Sequence, residues 1–237
     1  MKTILFALSI GFLLNPVWAQ KPGEKRHSIT PIIGLASNTS TLFTISPNTD
    51  VKLDYLSGDE ITLPITLRYQ YKISNGNFVG VDVLGNYNTL YMHPAYHTQG
   101  YGYVGPAVIS HAGTMIGGDI HYSKMVDLKL FHVFGIVGFG GYRQSPDNTY
   151  TKDYSWYKNA SPVFYDFAVA ATNNAIRKFM PITTLGLGFR YRHLELGVNY
   201  QYSLRSPVKS FEYQGIQYDN KLRFASKGCF VGYRFEF

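Results

Sequence analysis

His121 and Ser123 stand two residues apart, so on an extended strand their side chains share one face. In kind they are a general base and a nucleophile, the pair that performs acyl hydrolysis when a carboxylate orients the imidazole. Ile120 and Tyr122 alternate with them as the apolar phase, and a polar residue on the opposite, inward phase is the reading adopted for His121. His93 and His97, with His111 nearby, would bring two imidazoles onto one helical face for a metal such as zinc. Pro94 and the neighbouring glycines argue against that helix, and Leu90 to Ala112 contains no cysteine or carboxylate to complete a site, so a solvated loop is expected. Gly135, Gly138, Gly140 and Gly141 are followed by neither a helix nor a Lys-Ser/Thr pair. They are therefore expected to serve strand curvature and close packing rather than phosphate binding. No cofactor and no metal site is expected.

The elements that must position these residues are strands. Ile61 to Ile73 alternates strictly, with Ile61, Leu63, Ile65, Leu67, Tyr69, Tyr71 and Ile73 on one phase and Thr62, Pro64, Thr66, Arg68, Gln70 and Lys72 on the other. Leu194 to Arg205 repeats the pattern. Similar runs occur at Ser28–Ser37, Phe78–Thr89, Met115–Lys124, Lys129–Tyr142, Ile182–Arg192 and Arg223–Phe237, which makes eight. The two longest match the roughly 9–11 residues that cross a bilayer at a tilt. Short links at Ser74–Asn77, Met125–Leu128 and Arg192–His193 alternate with long connections at 38–60, 90–112, 144–181 and 206–222. Alternating short turns and long loops along an even-stranded meander are the pattern of a transmembrane β-barrel. A second reading, ten strands, would recruit Phe43–Ser46 with Val51–Leu56, or Tyr101–Ser110.

Composition agrees. Only 16% of the 237 residues are charged while 16% are aromatic, which favours aromatic-rich β-structure over a helical bundle. Lys2, the apolar run Ile4–Leu14 and the small residues Val17 and Ala19 read as a secretory signal peptide over 1–19, leaving 20–237 as one barrel domain. Export conflicts with a nucleic-acid role for the net charge of +7, and the lone Cys229 cannot form an internal disulfide. A soluble periplasmic ligand-binding barrel would show the same alternation with the apolar phase inside. Export, together with Tyr69, Tyr71, Tyr87, Tyr200, Tyr202 and Tyr233 near strand ends, favours aromatic girdles at a membrane interface.

The chain closes on Val231-Gly232-Tyr233-Arg234-Phe235-Glu236-Phe237, with Val231, Tyr233, Phe235 and Phe237 on one face. This resembles the C-terminal signal of Gram-negative outer-membrane barrels, and with the signal peptide and the strands it resembles the small OmpA- or OmpX-like barrel family over the whole mature chain. The resemblance implies an all-β, eight-stranded antiparallel transmembrane barrel in the outer membrane, inserted by the barrel-assembly machinery through Gly232, Tyr233, Phe235 and Phe237. Phe230 departs from it, standing where that signal usually has a polar residue. No peptidoglycan-binding domain is expected after Phe237. His121-Tyr122-Ser123 looks like the His-any-Ser element of the lipid A deacylase barrels, which implies the alternative of a membrane-embedded lipid-modifying hydrolase. Lys124 departs from that element, and the inward phase of His121 and Ser123 departs from a site acting on lipid.

An eight-stranded barrel has room inside for little more than side chains. Charges on the polar phase should therefore pair, and Arg68, Arg190 and Arg234 are expected to face Asp82, Asp119 and Glu195 in a lumen network. The third long connection carries Trp156, Tyr157 and Lys158, followed by a helix signal from Ser161-Pro162 through Phe164, Phe167, Ala168, Ala171, Ala175 and Phe179, with Arg177 and Lys178 in its last turn. Trp156, Tyr157, Lys158, Arg177 and Lys178 are the candidate recognition residues, and an anionic glycan, lipid headgroup or surface protein is the expected partner. The sequence thus reads as a non-catalytic outer-membrane barrel acting in envelope integrity, surface interaction or limited porin-like transport, in contact with outer-membrane lipid.

Overall fold

The computed structural model describes residues 25–45, 51–54, 60–98, 102–104, 109–146, 177–207, 209–213 and 216–237. Eight long strands form the wall: β1 (His27–Ile45), β2 (Ile65–Ser74), β3 (Asn77–Thr98), β4 (Ile109–Asp127), β5 (His132–Pro146), β6 (Phe179–Tyr191), β7 (Leu194–Ser203) and β8 (Ile216–Tyr233). Each pairs antiparallel with the next, and β8 returns to β1 from Ile32↔Gly232 to Ile45↔Asp219, which closes an eight-stranded barrel. Closure leaves no strand edge, the condition for β-structure to reside in lipid. No helix among the described residues is long and apolar enough to cross a membrane.

Local chemistry explains the joints. Glu60–Thr62 keeps the register of β2 against β1, since Ala36 faces Thr62 as Ile33 faces Ile65. Pro64 has no N–H to give the ladder, so the expected unbroken run 61–73 is interrupted there. Its carbonyl still accepts from Gly34 N–H at 2.9 Å, and a Cβ on Gly34 would lie 3.0 Å from the proline ring. Gly76 turns the β2–β3 hairpin with φ 72°, and its carbonyl accepts from Met125 N–H at 2.6 Å. The β4–β5 link is Leu128–Phe131 rather than 125–128: Lys129 takes φ 69° and its N–H donates to Asp127 Oδ1 at 2.9 Å. Arg192 takes φ 53° in the two-residue β6–β7 turn.

The strands run further toward the long-loop end than their alternation suggested, since β3 reaches Thr98 and β4 begins at Ile109. The segments that could have made ten staves lie against the upper part of β3 instead: Val51–Asp54 pairs with His93–Tyr96, and Gly102–Val104 with Tyr96–Thr98. His93 and His97 are consequently in a strand, where a spacing of four puts backbones about 13 Å apart, not on a helical face or in a free loop. Phe179, placed by its spacing on a helix, opens β6.

The two faces separate by chemistry. Leu63, Ile65, Leu67, Ile120, Leu187 and Val198 stand exposed on the outside, and Tyr122, Tyr191, Tyr233, Phe235 and Phe237 ring the short-turn end. The inward phase is buried and divides into layers. Its short-turn half holds the buried charges together with Phe78 and Phe134, whereas Leu84, Met115, Tyr142, Met180, Ile182 and Phe224 form an apolar layer toward the long loops. Ile32, Phe134, Ile136 and Phe230 form a second apolar cluster. The inward phase is thus not polar throughout, because apolar side chains fill a narrow lumen without needing hydrogen-bond partners.

Candidate functional site

The lumen network is the densest assembly of chemistry in the described residues. Register builds it: Arg68 on β2 stands opposite Asp82 on β3, which stands opposite Asp119 on β4. Arg68 donates to Asp82 through Nε at 3.0 Å and Nη2 at 2.9 Å, and its guanidinium lies 5.8 Å from the Phe230 ring centroid. That contact explains an aromatic residue at 230. His121 Nδ1 is 3.4 Å from Oδ1 of both Asp82 and Asp119, and Thr184 Oγ1 donates to Asp119 Oδ2 at 2.8 Å. Two glycines make the space: a Cβ on Gly80 would meet His121 Nε2 at 2.5 Å, and one on Gly138 would meet Asp119 Cγ at 3.2 Å.

Gln70 joins this half to the next. Arg234 Nη1 donates to its Oε1 at 2.6 Å, and its Nε2 donates to Ser123 Oγ at 2.9 Å and lies 3.2 Å from His121 Nε2. Arg234 also pairs with Glu195 at 3.3 Å and Glu236 at 2.9 Å, and Arg190 donates to Glu236 at 3.0 Å. Arg68, Asp82, Asp119, Arg190, Glu195 and Arg234 are all buried on the inner face. Asp119 meets His121 and Thr184 rather than an arginine. Glu236, which the sequence reading left out of the network, holds two arginines. Its signal was its place on the same phase as Arg234, two residues away.

Hydrogen bonding also fixes what His121 can do. An arginine can only donate, so the Gln70 oxygen faces Arg234 and its amide N–H groups face Ser123 and His121. His121 Nε2 then accepts from Gln70, and Nδ1 lies 3.4 Å from Oδ1 of each carboxylate without a hydrogen bond to either. Asp82, Asp119 and His121 bring three potential metal-ligand atoms within 4.8 Å of one another, and an ion there would compete with Arg68, which already holds both oxygens of Asp82. The hydrolase alternative meets an obstacle at the other ring nitrogen. Carboxylates do stand beside His121, but Gln70 holds the position at Nε2 that a nucleophilic Ser123 would need, and both residues are buried in the lumen.

No family model matches the sequence, and no curated protein matches it. Similar solved structures are Ail of Yersinia pestis in complex with the heparin analogue sucrose octasulfate (12% identity, 89% of this chain and 99% of that one, TM-score 0.38), OprG of Pseudomonas aeruginosa (10%, 90% and 98%, 0.45) and Neisserial surface protein A (11%, 87% and 97%, 0.42). At these values the fold is established by the closed strand order and the apolar outer belt themselves. The fold is a small transmembrane β-barrel.

At the barrel's short-turn end, the last residue is tied to the first strand: His27 N–H donates to Phe237 O at 3.1 Å and Phe237 N–H to His27 O at 3.0 Å. Tyr233, Phe235 and Phe237 face outward, and Gly232 is buried where a Cβ would lie 2.9 Å from Ile32 and Thr30. At the long-loop end, Arg177 and Lys178 precede β6 outside any helix. Arg177 N–H donates to Pro207 O at 2.8 Å, and Lys178 O accepts from Gln144 N–H at 2.9 Å. Burial and nearby Arg205 hold the Arg177 guanidinium below its ordinary pKa. Arg205 and Lys209, both exposed, extend this basic rim beyond the residues the sequence reading selected. Trp156, Tyr157, Lys158, the helix signal from Ser161, and the leader 1–19 lie outside the described residues.

Proposed function

We propose that the chain is a non-catalytic outer-membrane barrel whose filled lumen is a structural core and whose contacts are made at the long-loop end, with an anionic glycan or lipid headgroup as partner. The filled lumen carries this reading. Buried ion pairs occupy its short-turn half and a buried apolar layer its long-loop half, so a path for hydrated solutes has no room. Limited transport is thereby disfavoured, and surface interaction or envelope integrity remains.

The basic rim of Arg177, Lys178, Arg205 and Lys209 supports the choice of an anionic partner, and Trp156, Tyr157 and Lys158 belong to the connection that enters β6 beside it. The terminal Gly232, Tyr233, Phe235 and Phe237 would serve the assembly machinery. The test displays the barrel on whole cells and exposes them to an array of sulfated and neutral glycans and of anionic vesicles. Binding should favour the anionic probes and weaken about tenfold in a Trp156→Ala, Tyr157→Ala, Lys178→Gln variant whose heat-modifiable mobility is intact. An unchanged profile would leave only a role in envelope integrity.

A further inference from the structure

Among the described residues, the non-glycine positions with positive φ are both cations at the tips of short turns: Lys129 (φ 69°) in the β4–β5 link and Arg192 (φ 53°) between β6 and β7. In the first, the Leu130 N–H donates to Leu128 O at 2.8 Å, which folds the chain around Lys129 in a γ-turn of the strained hand. The two turns are neighbours, since the β5–β6 ladder ends at His132↔Arg190 and Phe131 and Tyr191 leave it together on the outward side. The Arg192 guanidinium lies 5.4 Å from the Tyr191 ring centroid. His193 stacks on Tyr233 with centroids 5.5 Å apart, and its Nδ1 donates to Arg234 O at 3.0 Å, which ties this turn to β8. Around the two cations Leu128, Leu130 and Phe131 are exposed, Leu130 to 78%. The acids of this end do not pair with them. Asp127, Glu195 and Glu236 stand on the inward phase, where Asp127 accepts from the Lys129 backbone N–H and lies 3.7 Å from His132, and the two glutamates hold Arg190 and Arg234.

We propose that these two neighbouring turns form a surface that binds the phosphate headgroups of anionic lipid in the leaflet at the short-turn end. Cations set beside exposed aromatic and aliphatic side chains match the boundary between headgroup and hydrocarbon, where Lys129 and Arg192 meet phosphate and Leu128, Leu130, Phe131 and Tyr191 meet the acyl chains. A soluble anion would answer the charges but leave those apolar side chains in water. Asparagine would make either turn with less strain, so what these positions supply is charge and not backbone geometry. The surface is independent of the partner proposed above, since it lies at the opposite end of the barrel.

The experiment adds phosphatidylglycerol or phosphatidylcholine to the full-length, detergent-folded protein and counts bound lipid by native mass spectrometry. Wild type should retain phosphatidylglycerol in preference to phosphatidylcholine. Lys129→Asn with Arg192→Asn should retain fewer phosphatidylglycerol molecules per barrel, the lost binding being weakened about tenfold or more by removal of two charges. Its melting temperature in detergent should equal or exceed that of wild type, because both turns lose strain. Lys72→Gln removes a cation of the same end that shares the inward phase of Arg68 and Gln70, and should leave retention unchanged. Lipid held at the long-loop end survives in both variants, so failure of this proposal is distinct from failure of the earlier one. Retention unchanged in the double variant, an equal loss in Lys72→Gln, or displacement of the lipid by free glycerol phosphate at equal concentration would overturn the proposal. Heat-modifiable mobility, measured on each variant and on the two single asparagine variants, separates lost binding from lost fold.

Discussion

Arg68 and Asp82 show how strongly the lumen depends on single atoms. Both are buried, and Arg68 grips both carboxylate oxygens while His121 approaches Oδ1. Asp82→Asn would leave a buried guanidinium without its counter-ion, and a loss of about 3–5 kcal/mol is expected, read from urea unfolding of the barrel in lipid. Replacing both partners, Arg68→Met with Asp82→Leu, removes the charge and its need together, and should recover most of that loss. A double variant as unstable as Asp82→Asn would show that Arg68 matters through its packing on Phe230 rather than through the pair. Gly80 and Gly138 belong to the same account, since His121 and Asp119 occupy the space a larger residue would take.

At the scale of the strand, alternation assigns each residue to lipid or lumen. Val198 points outward with 55% exposure, while Gln201 points inward and accepts from the Tyr142 hydroxyl at 2.8 Å. Val198→Arg should cost about 2–4 kcal/mol if it lies near the bilayer midplane, falling toward zero near an interface. Lys227→Arg, a cation already exposed on the neighbouring strand, should cost almost nothing. Equal costs for the two, measured by reversible unfolding in lipid vesicles, would mean that the outer belt is not in contact with hydrocarbon. The hairpins belong to this scale as well: Gly76 holds positive φ against the Met125 carbonyl, a place no side chain can share.

For the whole molecule, closure is the decisive event, and it joins residues almost the full chain apart. β8 seals against β1, and Phe237 and His27 exchange both backbone hydrogen bonds. Deleting Phe237 removes that terminal pair and an outward aromatic ring, and should reduce the folded fraction in the outer membrane while unfolded chain accumulates in the periplasm. Comparing boiled and unboiled membrane extracts on a denaturing gel checks it, because a closed barrel migrates differently before heating. Unchanged amounts of the folded form would show that the ending contributes neither to closure nor to assembly.

Eight alternating runs and the short turn at Gly76 were legible in the chain, because period-two alternation and positive-φ residues are local properties, while the choice between eight strands and ten waited on the pairing of Val51–Asp54 and Gly102–Val104 with β3. Local patterns could not say who meets whom across the lumen. That Asp119 turns to His121 and Thr184, that Glu236 serves two arginines, and that Gln70 bridges the two halves depend on register between strands far apart in sequence. The apolar layer of Leu84, Met115, Met180, Ile182 and Phe224 was hidden for a different reason: these residues share the inward phase of Asp82, Asp119, Thr184 and Ser226, but an apolar side chain by itself reads as lipid-facing. The sequence by itself determined a wall of alternating strands with one face for lipid, whereas the cross-barrel partners exist only once the tertiary structure brings distant strands around a single axis.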